Sequence, residues 1–376
     1  MVDEEIKQGY KPTEIGIIPI DWEIDIIKNH TKITTGTKNT QDKIDDGKYP
    51  FFVRSQKVER INTYSFEGEA VLTAGDGVGT GKVFHYINGK FDFHQRVYKI
   101  SNFDDKLDGY FFYLFFSKNF YNRIMSLTAK SSVDSVRMEM IADMKILLPS
   151  KEEQSTIVQV LTDIDKLIEL FDRLIEKKKN IKQGAMQELL TGKRRLSGFK
   201  EDWEIKQIKD ILSYEQPAIY IVENSNYSNS YNTPVLTANK AFILGYTDEN
   251  EGIYNNYPVI IFDDFTLENK YVDFPFKVKS SAIKILKIKD GKSNLWFIFN
   301  KIQLIKHSVG DHKRYYISEY QNIEISIPSP NEQSAIAQIL LDMNREIDLI
   351  KQKREKLNQL KIGMMEQLLT GRIRLK

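Results

Sequence analysis

The stretch whose residue types come nearest to a chemical signature is the glycine-rich run GDGVGTGK at 75–82. A phosphate-binding loop needs the spacing GxxxxGK followed by Ser or Thr, because its backbone amides cradle phosphates and its hydroxyl binds magnesium. Asp76 stands where the first glycine of that pattern is required, and Val83 follows the lysine. We therefore exclude a nucleotide site and keep two interpretations: a turn that brings backbone close to a ligand such as DNA, or a plain hairpin turn.

Other catalytic and metal-binding signatures are missing from the sequence. The 5 histidines lack metal-ligand spacing, and there is neither a Ser-His-Asp pattern nor the Asn/Asp-Pro-Pro-Tyr/Phe stretch that amino-methyltransferases use. The chain has 0 cysteines, which excludes disulfides, thiol catalysis and cysteine metal sites and fits a reducing cytoplasm. We predict a cytoplasmic chain that is not an enzyme and that binds no metal or cofactor itself.

Length and composition describe a soluble protein of two or three domains. The chain has 376 residues, of which 41% are apolar and 28% are charged. Its longest apolar runs, at 111–116 and 295–299, are too short to span a membrane. The N-terminus shows no signal peptide. Net charge is only +2, so any nucleic-acid interface must rest on local patches.

A repeat organises the elements that would position any site. Residues 152–196 and 331–375 align without a gap at an offset of 179, and both end in LLTG-(K/R)-x-R-L. The tetrapeptide DWEI, at 21–24 and 202–205, opens each half of the chain. Each half is therefore a globular domain followed by the repeated stretch.

Each repeated stretch carries the start and stop signals of one long helix. A serine stands three residues before a glutamate, at Ser150/Glu153 and at Ser329/Glu332, which predicts a capping box. The glycine of the LLTG motif is the residue type that most readily adopts the left-handed conformation after a helix. About 40 residues at ~1.5 Å each would make a rod of roughly 60 Å.

Apolar residues recur at heptad spacing along both helices, flanked by Lys and Glu, which is typical of helices that pair. We expect an antiparallel coiled coil that acts as a spacer between two domains. The alternative is two amphipathic helices that each cover their own domain. The residues predicted to pair the helices are Ile157, Leu161, Ile164, Ile168 and Phe171 in the first copy and Ile336, Leu340, Met343, Ile347 and Ile350 in the second. The same pattern takes in Leu167, Leu174, Ile181 and Leu360.

Gly184 and Gly363 occupy the same repeat position inside the two helices. Glycine there costs about 1 kcal/mol relative to alanine. It indicates either a close helix crossing or partner approach, or a tolerated weak spot. Trp22 and Trp203 of the DWEI motifs are interpreted as structural anchors.

The fold class is α+β, with two globular α/β domains, each followed by a long helix. The predicted segments are a first domain at 1–150, a first helix at 151–196, a second domain at 197–329 and a second helix at 330–376. Short strands are predicted at 51–53, 69–73, 82–86 and 96–100 in the first half and at 233–236, 258–262, 271–274 and 282–288 in the second. Helices are predicted at 108–127 and 294–305, and residues 1–12 are predicted to be loose.

The paired helices ending in LLTG-(K/R)-x-R-L, with domains that open at DWEI and close at Pro-Ser, resemble the specificity subunits of type I restriction-modification enzymes. The resemblance covers nearly the whole chain. It implies two target-recognition domains that read the halves of a bipartite site in double-stranded DNA. It also implies helices that set the gap and dock two methyltransferase subunits. Those partners bind S-adenosylmethionine and methylate adenine, while restriction subunits translocate and cut.

The family's base-reading residues follow no fixed motif, so we select candidates by their chemistry. Arg and Lys suit guanine, Asn and Gln suit adenine, and small hydroxyls with Lys or Arg clamp phosphates. In the first domain the candidates are Arg54, Ser55, Gln56, Lys57, Gln95, Arg96, Lys130, Ser131, Ser132 and Arg137. In the second they are Thr237, Asn239, Lys240, Lys279, Ser280, His312, Lys313, Arg314 and Tyr315. For each of them the alternative is a solvated surface residue.

Three further interpretations stay open. The basic run at 193–195 either touches spacer phosphates or is a solvated helix end. The whole chain could be a coiled-coil scaffold that joins protein partners without reading bases. A nuclease or methyltransferase in one chain is disfavoured because the catalytic motifs are missing.

Overall fold

The computed structural model describes residues 8–127, 135–238, 241–305 and 314–375. The chain divides into two compact units. The first takes in the chain up to Phe171 and again from Lys353 onward, and the second runs Asp172–Gln352. Each unit holds one globular domain, and both long helices contribute residues to both units.

The first unit carries a six-stranded sheet. Its elements, in chain order, are β1 (Tyr10–Thr13), β2 (Gly16–Pro19), β3 (Glu23–Ile26), β4 (Lys32–Thr35), β5 (Tyr49–Phe52), β6 (Glu59–Ile61), β7 (Phe66–Ala74), β8 (Phe84–Phe93), β9 (Val97–Ser101), α1 (Gly109–Ser126), α2 (Met138–Ala142), β10 (Lys145–Leu148) and α3 (Lys151–Leu189). The strand order is β4-β9-β7-β8-β5-β6, with β5 parallel to β8 and the other neighbours antiparallel. Strands β1 and β2 form a hairpin, and β3 pairs with β10.

Helix α1 packs on this sheet through an aromatic face. Phe112, Phe116 and Phe120 are buried, and their rings stack in succession with centroids 5.2 and 4.4 Å apart. The helix begins after Asp108, whose carboxylate accepts two backbone N–H groups of the first turn. The core of the first domain therefore lies between α1 and the sheet.

The second unit follows the same plan with a divided sheet. Its elements are β11 (Glu204–Gln207), α4 (Ile208–Ile211), β12 (Leu212–Glu215), β13 (Thr233–Leu236), β14 (Ile243–Thr247), β15 (Val259–Asp263), β16 (Asn269–Val272), β17 (Lys277–Val278), β18 (Ile283–Ile288), α5 (Leu295–Ile302), β19 (Glu324–Ile327) and α6 (Pro330–Leu368). One sheet has the order β12-β18-β15-β16 and another β14-β13-β17, while β11 pairs with β19. The parallel pair β13–β17 matches β5–β8 of the first unit.

Most of the predicted elements are confirmed. The predicted strands fall on β5, β7, β8 and β9 and on β13, β15, β16 and β18, and the two predicted short helices are α1 and α5. The prediction for 1–12 is wrong at its end, because β1 begins at Tyr10 and pairs with β2. Strand β1 lacked a signal because it is too short and polar to show alternation.

The starts of the long helices match the prediction, but the capping box does not. Ser150 Oγ accepts the backbone N–H of Glu153 at 3.3 Å. The glutamate half of the box is wrong, because the Glu153 carboxylate accepts from Trp22 Nε1 at 3.0 Å and from Arg374 Nε at 2.6 Å. A buried carboxylate needs a cation more than the helix end needs a second cap.

The far ends of the helices are left-handed glycine turns, as predicted. Gly192 and Gly371 have φ of +74° and +71°. A methyl group on Gly371 would lie 2.6 Å from Pro19 and 3.1 Å from the Trp22 ring, and one on Gly192 would lie 3.4 Å from the Trp203 ring. Each turn therefore packs on the tryptophan that opens the domain of its own unit, which fits the interpretation of both tryptophans as anchors.

A buried glutamate joins the two helices within each unit. In the first unit Arg374 binds Glu153 through Nε and Nη2 and binds Asp21 through Nη1. In the second, Arg195 binds Glu332 through Nε and Nη2, both at 2.7 Å. Burial alone would raise the pKa of Glu153, but hydrogen bonds from Arg374 and Trp22 hold it below its usual range. The stabilisation is therefore present above the ordinary glutamate pKa and is lost as pH falls through the lowered value.

The helices pair antiparallel within each unit. In the first unit Glu153 contacts Arg374, and Lys361 Nζ lies 2.6 Å from Asp165. Residue numbers therefore rise along the first helix where they fall along the second. In the second unit Lys178 lies 2.6 Å from Glu346, and Arg195 contacts Glu332. The numbers again rise along one chain segment where they fall along the other. The predicted direction of pairing is confirmed.

The predicted seam is partly right. Eight of its ten residues are buried: Ile157, Leu161, Ile164, Ile168, Ile336, Leu340, Ile347 and Ile350. Phe171 and Met343 are half-buried. Leu167, Leu174, Ile181 and Leu360 are exposed. Residues 167 and 174 lie one position before the buried Ile168 and Ile175, so they form a neighbouring stripe of the helix and not its seam. Ile157 and Leu161 also belong to the first domain's core, and Ile336 and Leu340 to the second's, so the helices cover their domains as well as pairing.

Neither helix glycine marks a close crossing within the described chain. A methyl group on Gly184 or Gly363 would meet nothing within 4 Å. Approach by a partner and a tolerated weak spot remain the two interpretations.

The glutamate contacts give a test in which each unit serves as the other's control. We expect Glu153→Gln to destabilise the first unit by about 2–4 kcal/mol, because it removes the charge that a buried arginine needs. Hydrogen-exchange mass spectrometry should show faster exchange in 151–171 and 364–375, with 330–345 unchanged. Glu332→Gln should give the opposite pattern. Uniform exchange in either variant would contradict this account.

Candidate nucleic-acid interface

Three polar segments of the first domain meet around the glycine-rich run. Gly75 N–H donates to Arg96 O at 2.8 Å, and Val136 N–H donates to Gly75 O at 2.7 Å. The His94 N–H donates to Phe52 O at 2.9 Å, because β5 and β8 run parallel and end together. These bonds bring together the segments that follow β5, β7 and β8 and precede α2.

The glycines permit this close approach. A methyl group on Gly79 would lie 2.5 Å from the carbonyl oxygen of Arg54, and one on Gly75 would lie 3.0 Å from that of Arg96. Gly77 has φ +81°, a conformation that favours glycine. The run is therefore more than a plain hairpin turn, and what its backbone approaches is the neighbouring loops. Val78 at its tip is fully exposed.

The run also places a carboxylate between two candidate arginines. Arg54 Nη1 donates to Asp76 Oδ1 at 2.8 Å, and Arg96 Nε lies 3.7 Å from Asp76 Oδ2. The arginine side chains are 45% and 64% exposed. Burial and the Arg54 guanidinium lower the pKa of the adjacent His94, which keeps that imidazole neutral near pH 7. The cluster therefore presents two fixed guanidinium groups to solvent.

The other first-domain candidates lie nearby or form local contacts. Ser55 Oγ donates to Lys57 O, and the Lys57 ammonium pairs with Glu59. Gln95 Nε2 donates to Asn39 Oδ1 at 2.5 Å. Gln56 and Arg137 are exposed, and Arg137 directly follows the segment that pairs with Gly75. Lys130, Ser131 and Ser132 lie outside the described residues.

In the second domain, Thr237, Lys279 and Ser280 follow the matching parallel strands. The Lys279 N–H donates to Leu236 O at 3.0 Å, as His94 does to Phe52. Lys279 Nζ donates to Ser225 Oγ at 2.8 Å, and Ser280 Oγ accepts from the Ala282 N–H. The structure thus brings these three candidates together.

The remaining second-domain candidates fare differently. Arg314 is exposed and its guanidinium lies 5.9 Å from the centre of the Phe265 ring. Tyr315 is only 2% exposed, so its side chain packs inside the domain and is not available to DNA in this structure. Asn239, Lys240, His312 and Lys313 lie outside the described residues.

Reasoning from the sequence missed the carboxylates of these loops. Asp76 follows β7, and Asp264 follows β15, its counterpart in the second domain. Asp264 is 1% exposed and lies 3.1 Å from the equally buried Lys284. The candidates were chosen as hydrogen-bond donors and cations, which left acids out. For Asp76 the signal was an acid placed among glycines after a predicted strand.

The basic run after α3 is structural at one position. Arg195 is bound to Glu332 and to the Glu201 carbonyl, so it is neither a solvated helix end nor a phosphate contact. Arg194 Nη1 lies 3.7 Å from Glu188, and Lys193 is exposed.

The described part of the chain shows neither a metal-ligand cluster nor a membrane-spanning helix. No group of three or more His, Asp or Glu side chains there is arranged to hold a metal ion. Within the same residues, no helix combines the length and apolar character needed to cross a bilayer.

Comparisons with known proteins agree on one family. The model of the type I restriction modification DNA specificity domain matches residues 19–180 and again 200–359. The chain is 41% identical over 168 residues to the specificity subunit of the type I restriction enzyme EcoR124I/EcoR124II of Escherichia coli, a match that covers 43% of this chain and 41% of that protein. It is 27% identical over 423 residues to the putative type I restriction enzyme MjaX specificity subunit of Methanocaldococcus jannaschii, covering 98% of each.

The fold is likewise similar to a solved structure. The crystal structure of a type I restriction-modification system S subunit from M. genitalium gives a TM-score of 0.60 at 15% identity and covers 93% of this chain and 96% of that one.

The close approach of Gly79 gives a test of the loop cluster. We expect Gly79→Ala to destabilise the first domain by about 1–3 kcal/mol, because a methyl group would be driven against the backbone of Arg54. Val78→Ala, at the exposed tip of the same run, is the matched control and should leave stability unchanged. Urea unfolding followed by circular dichroism measures both. Equal midpoints for the two variants would show that the loops can part without strain.

Proposed function

This chain belongs to the type I restriction modification DNA specificity domain family, and on that premise we propose that each of its two domains reads one half of a bipartite DNA site. The observation that carries the proposal is the pairing of a repeated framework with different loops. Strands β5 and β8 and strands β13 and β17 have the same parallel arrangement. The side chains that follow them differ, as two readers of different sequences require.

We propose that the chain itself is non-catalytic. Base recognition belongs to this chain, while methyl transfer to adenine belongs to two partner methyltransferase subunits that bind S-adenosylmethionine. Restriction subunits join where the system also cuts DNA. The site of action is the cytoplasm, where such a complex meets double-stranded DNA.

We infer that α3 and α6 set the gap between the half-sites and dock the partners. Each has 39 residues, or roughly 58 Å at 1.5 Å per residue. Helix α3 leaves Leu167, Leu170, Leu174 and Ile181 exposed, and α6 leaves Leu349, Leu360 and Ile362 exposed. Apolar side chains in such number on a polar helix surface support docking of protein partners.

Mapping methylated adenines in cells tests the function. We expect deletion of this gene to abolish methylation at one split motif. Replacing residues 14–148 with another recognition domain should change one half of that motif only. Replacing 204–327 is the matched control and should change the other half. A change in both halves from one exchange would contradict the two-reader proposal. If the map is unchanged on deletion and the assembled complex binds no DNA, the scaffold interpretation is favoured.

The helix glycines discriminate partner approach from a tolerated weak spot. Gly184→Ala should stabilise α3 by about 1 kcal/mol, because alanine is the better helix former and nothing in the described chain lies within 4 Å. If a partner backbone approaches there, the same variant should weaken assembly with methyltransferase subunits, measured by sedimentation. Gln183→Ala, the exposed neighbour, is the control. Greater stability with unchanged assembly would identify a weak spot.

A further inference from the structure

Two exposed arginines of the first domain share one acidic partner. One carboxylate, that of Asp76, contacts both Arg54 and Arg96 through different oxygens. The backbone that carries this carboxylate is held, because Asp76 forms a β-bridge with Ser135 and its loop packs tightly on the backbones of both arginines. An isolated surface ion pair contributes little stability. The contacts with Asp76 instead restrict the arginine side chains before any ligand binds. Binding then costs less side-chain conformational entropy.

Within the described part of the chain, each guanidinium keeps donors that bind nothing else while it contacts Asp76. Arginine has five N–H groups in a planar fork, and Arg54 uses Nη1 for the carboxylate. Both side chains remain about half or more exposed. The fork matches the O6 and N7 acceptors of guanine in the major groove, which is the commonest specific contact between proteins and DNA.

We propose that Arg54 and Arg96 read guanine in the half-site of the first domain, with Asp76 as the positioning residue. This inference rests on the proposed function. Asp76 argues for a base rather than a phosphate as the ligand. A phosphate clamp gains from concentrated positive charge, whereas Asp76 cancels one of the two arginine charges and would repel a phosphate. Neutral acceptors on a base edge meet no such repulsion.

Among the described residues of the second domain, the matching positions hold no arginine, which makes that domain an internal control. Phe52 pairs with Phe93 and Leu236 with Val278 in the matching parallel strands. Counting on from those pairs, Ala238 stands where Arg54 does. Ala282 stands where Arg96 does, because its carbonyl accepts from Asp264 as that of Arg96 accepts from Gly75. Asp264 matches Gly75, because its N–H donates to Ala282 O as that of Gly75 donates to Arg96 O, and its carboxylate is buried against Lys284. Phe265 therefore stands where Asp76 does. Variants at the arginine pair should therefore act on one half-site alone.

The test uses the full chain assembled with its methyltransferase subunits and a DNA library randomised across both half-sites. We expect Arg54→Gln and Arg96→Gln each to reduce the preference for guanine at a position of the first half-site by about tenfold to a hundredfold. Asp76→Asn should reduce it at the same positions by about threefold to tenfold, because a neutral amide tethers the arginines less firmly. Asp45→Asn, an exposed carboxylate of the same domain, is the matched control.

A chemical probe separates base contact from general binding. Replacing the selected guanine with 7-deazaguanine removes the N7 acceptor. It should weaken binding by the wild-type complex and have little effect on the variant that has lost the reading arginine. Arg54→Lys keeps the charge without the fork, so it should retain affinity while losing guanine preference, which guards against a variant that merely misfolds.

Several outcomes would overturn the inference. A first half-site without any G·C pair would do so, as would arginine variants that weaken all sequences equally and flatten the salt dependence, since that pattern marks phosphate contacts. If the wild-type complex selects a bipartite site but the variants leave it unchanged, guanine reading fails while the proposed function stands. If the wild-type complex selects no bipartite site, the proposed function fails and this inference fails with it.

Discussion

A buried carboxylate at the first turn of each long helix is the interaction on which the rest of the structure depends. Glu153 and Glu332 are both almost fully buried, and a charge in that position must be paired. The partner is in each case the arginine of the LLTG-(K/R)-x-R-L motif, Arg374 or Arg195. Because that arginine lies beyond the end of the other long helix, pairing the charge also fixes where the helices meet within each unit.

The residues around this pair explain the other repeated motifs. The glycine turn before each arginine packs on the tryptophan of a DWEI motif, so the domain opening and the helix end are fixed together. The glutamine after each glutamate plays a matching part. Gln154 accepts the N–H of Asp108, and Gln333 accepts that of Asn294. Asp108 and Asn294 cap α1 and α5. The Glu-Gln pair at the start of each long helix therefore contacts both the shorter helix of the domain and the elements around its DWEI motif.

The sequence predicts those features that depend on neighbouring residues, and it fails for those that depend on distant ones. Helix ends, apolar periodicity and most strands depend on neighbours in sequence, and they were predicted well. The partner of Glu153 lies 221 residues away, and a local rule assigned that side chain to a capping box instead. Heptad spacing likewise placed Leu174 and Ile181 in the seam, although they repeat beside the buried stripe that Ile168 and Ile175 form. Tyr315 was chosen for its chemistry, which says nothing about burial.

The loops show how one frame can support two kinds of recognition. A carboxylate follows the matching strands β7 and β15 in both domains. In the second domain it is buried and lies 3.1 Å from the Lys284 ammonium, so its charge is paired inside the fold. In the first domain Asp76 remains at the surface because glycines let its loop lie against Arg54 and Arg96. Asp264 matches Gly75, because their N–H groups donate to Ala282 O and Arg96 O, so acids at neighbouring positions serve packing in one domain and arginine placement in the other. Since the frame is held elsewhere by the glutamate–arginine pairs, these loops can change without altering the fold.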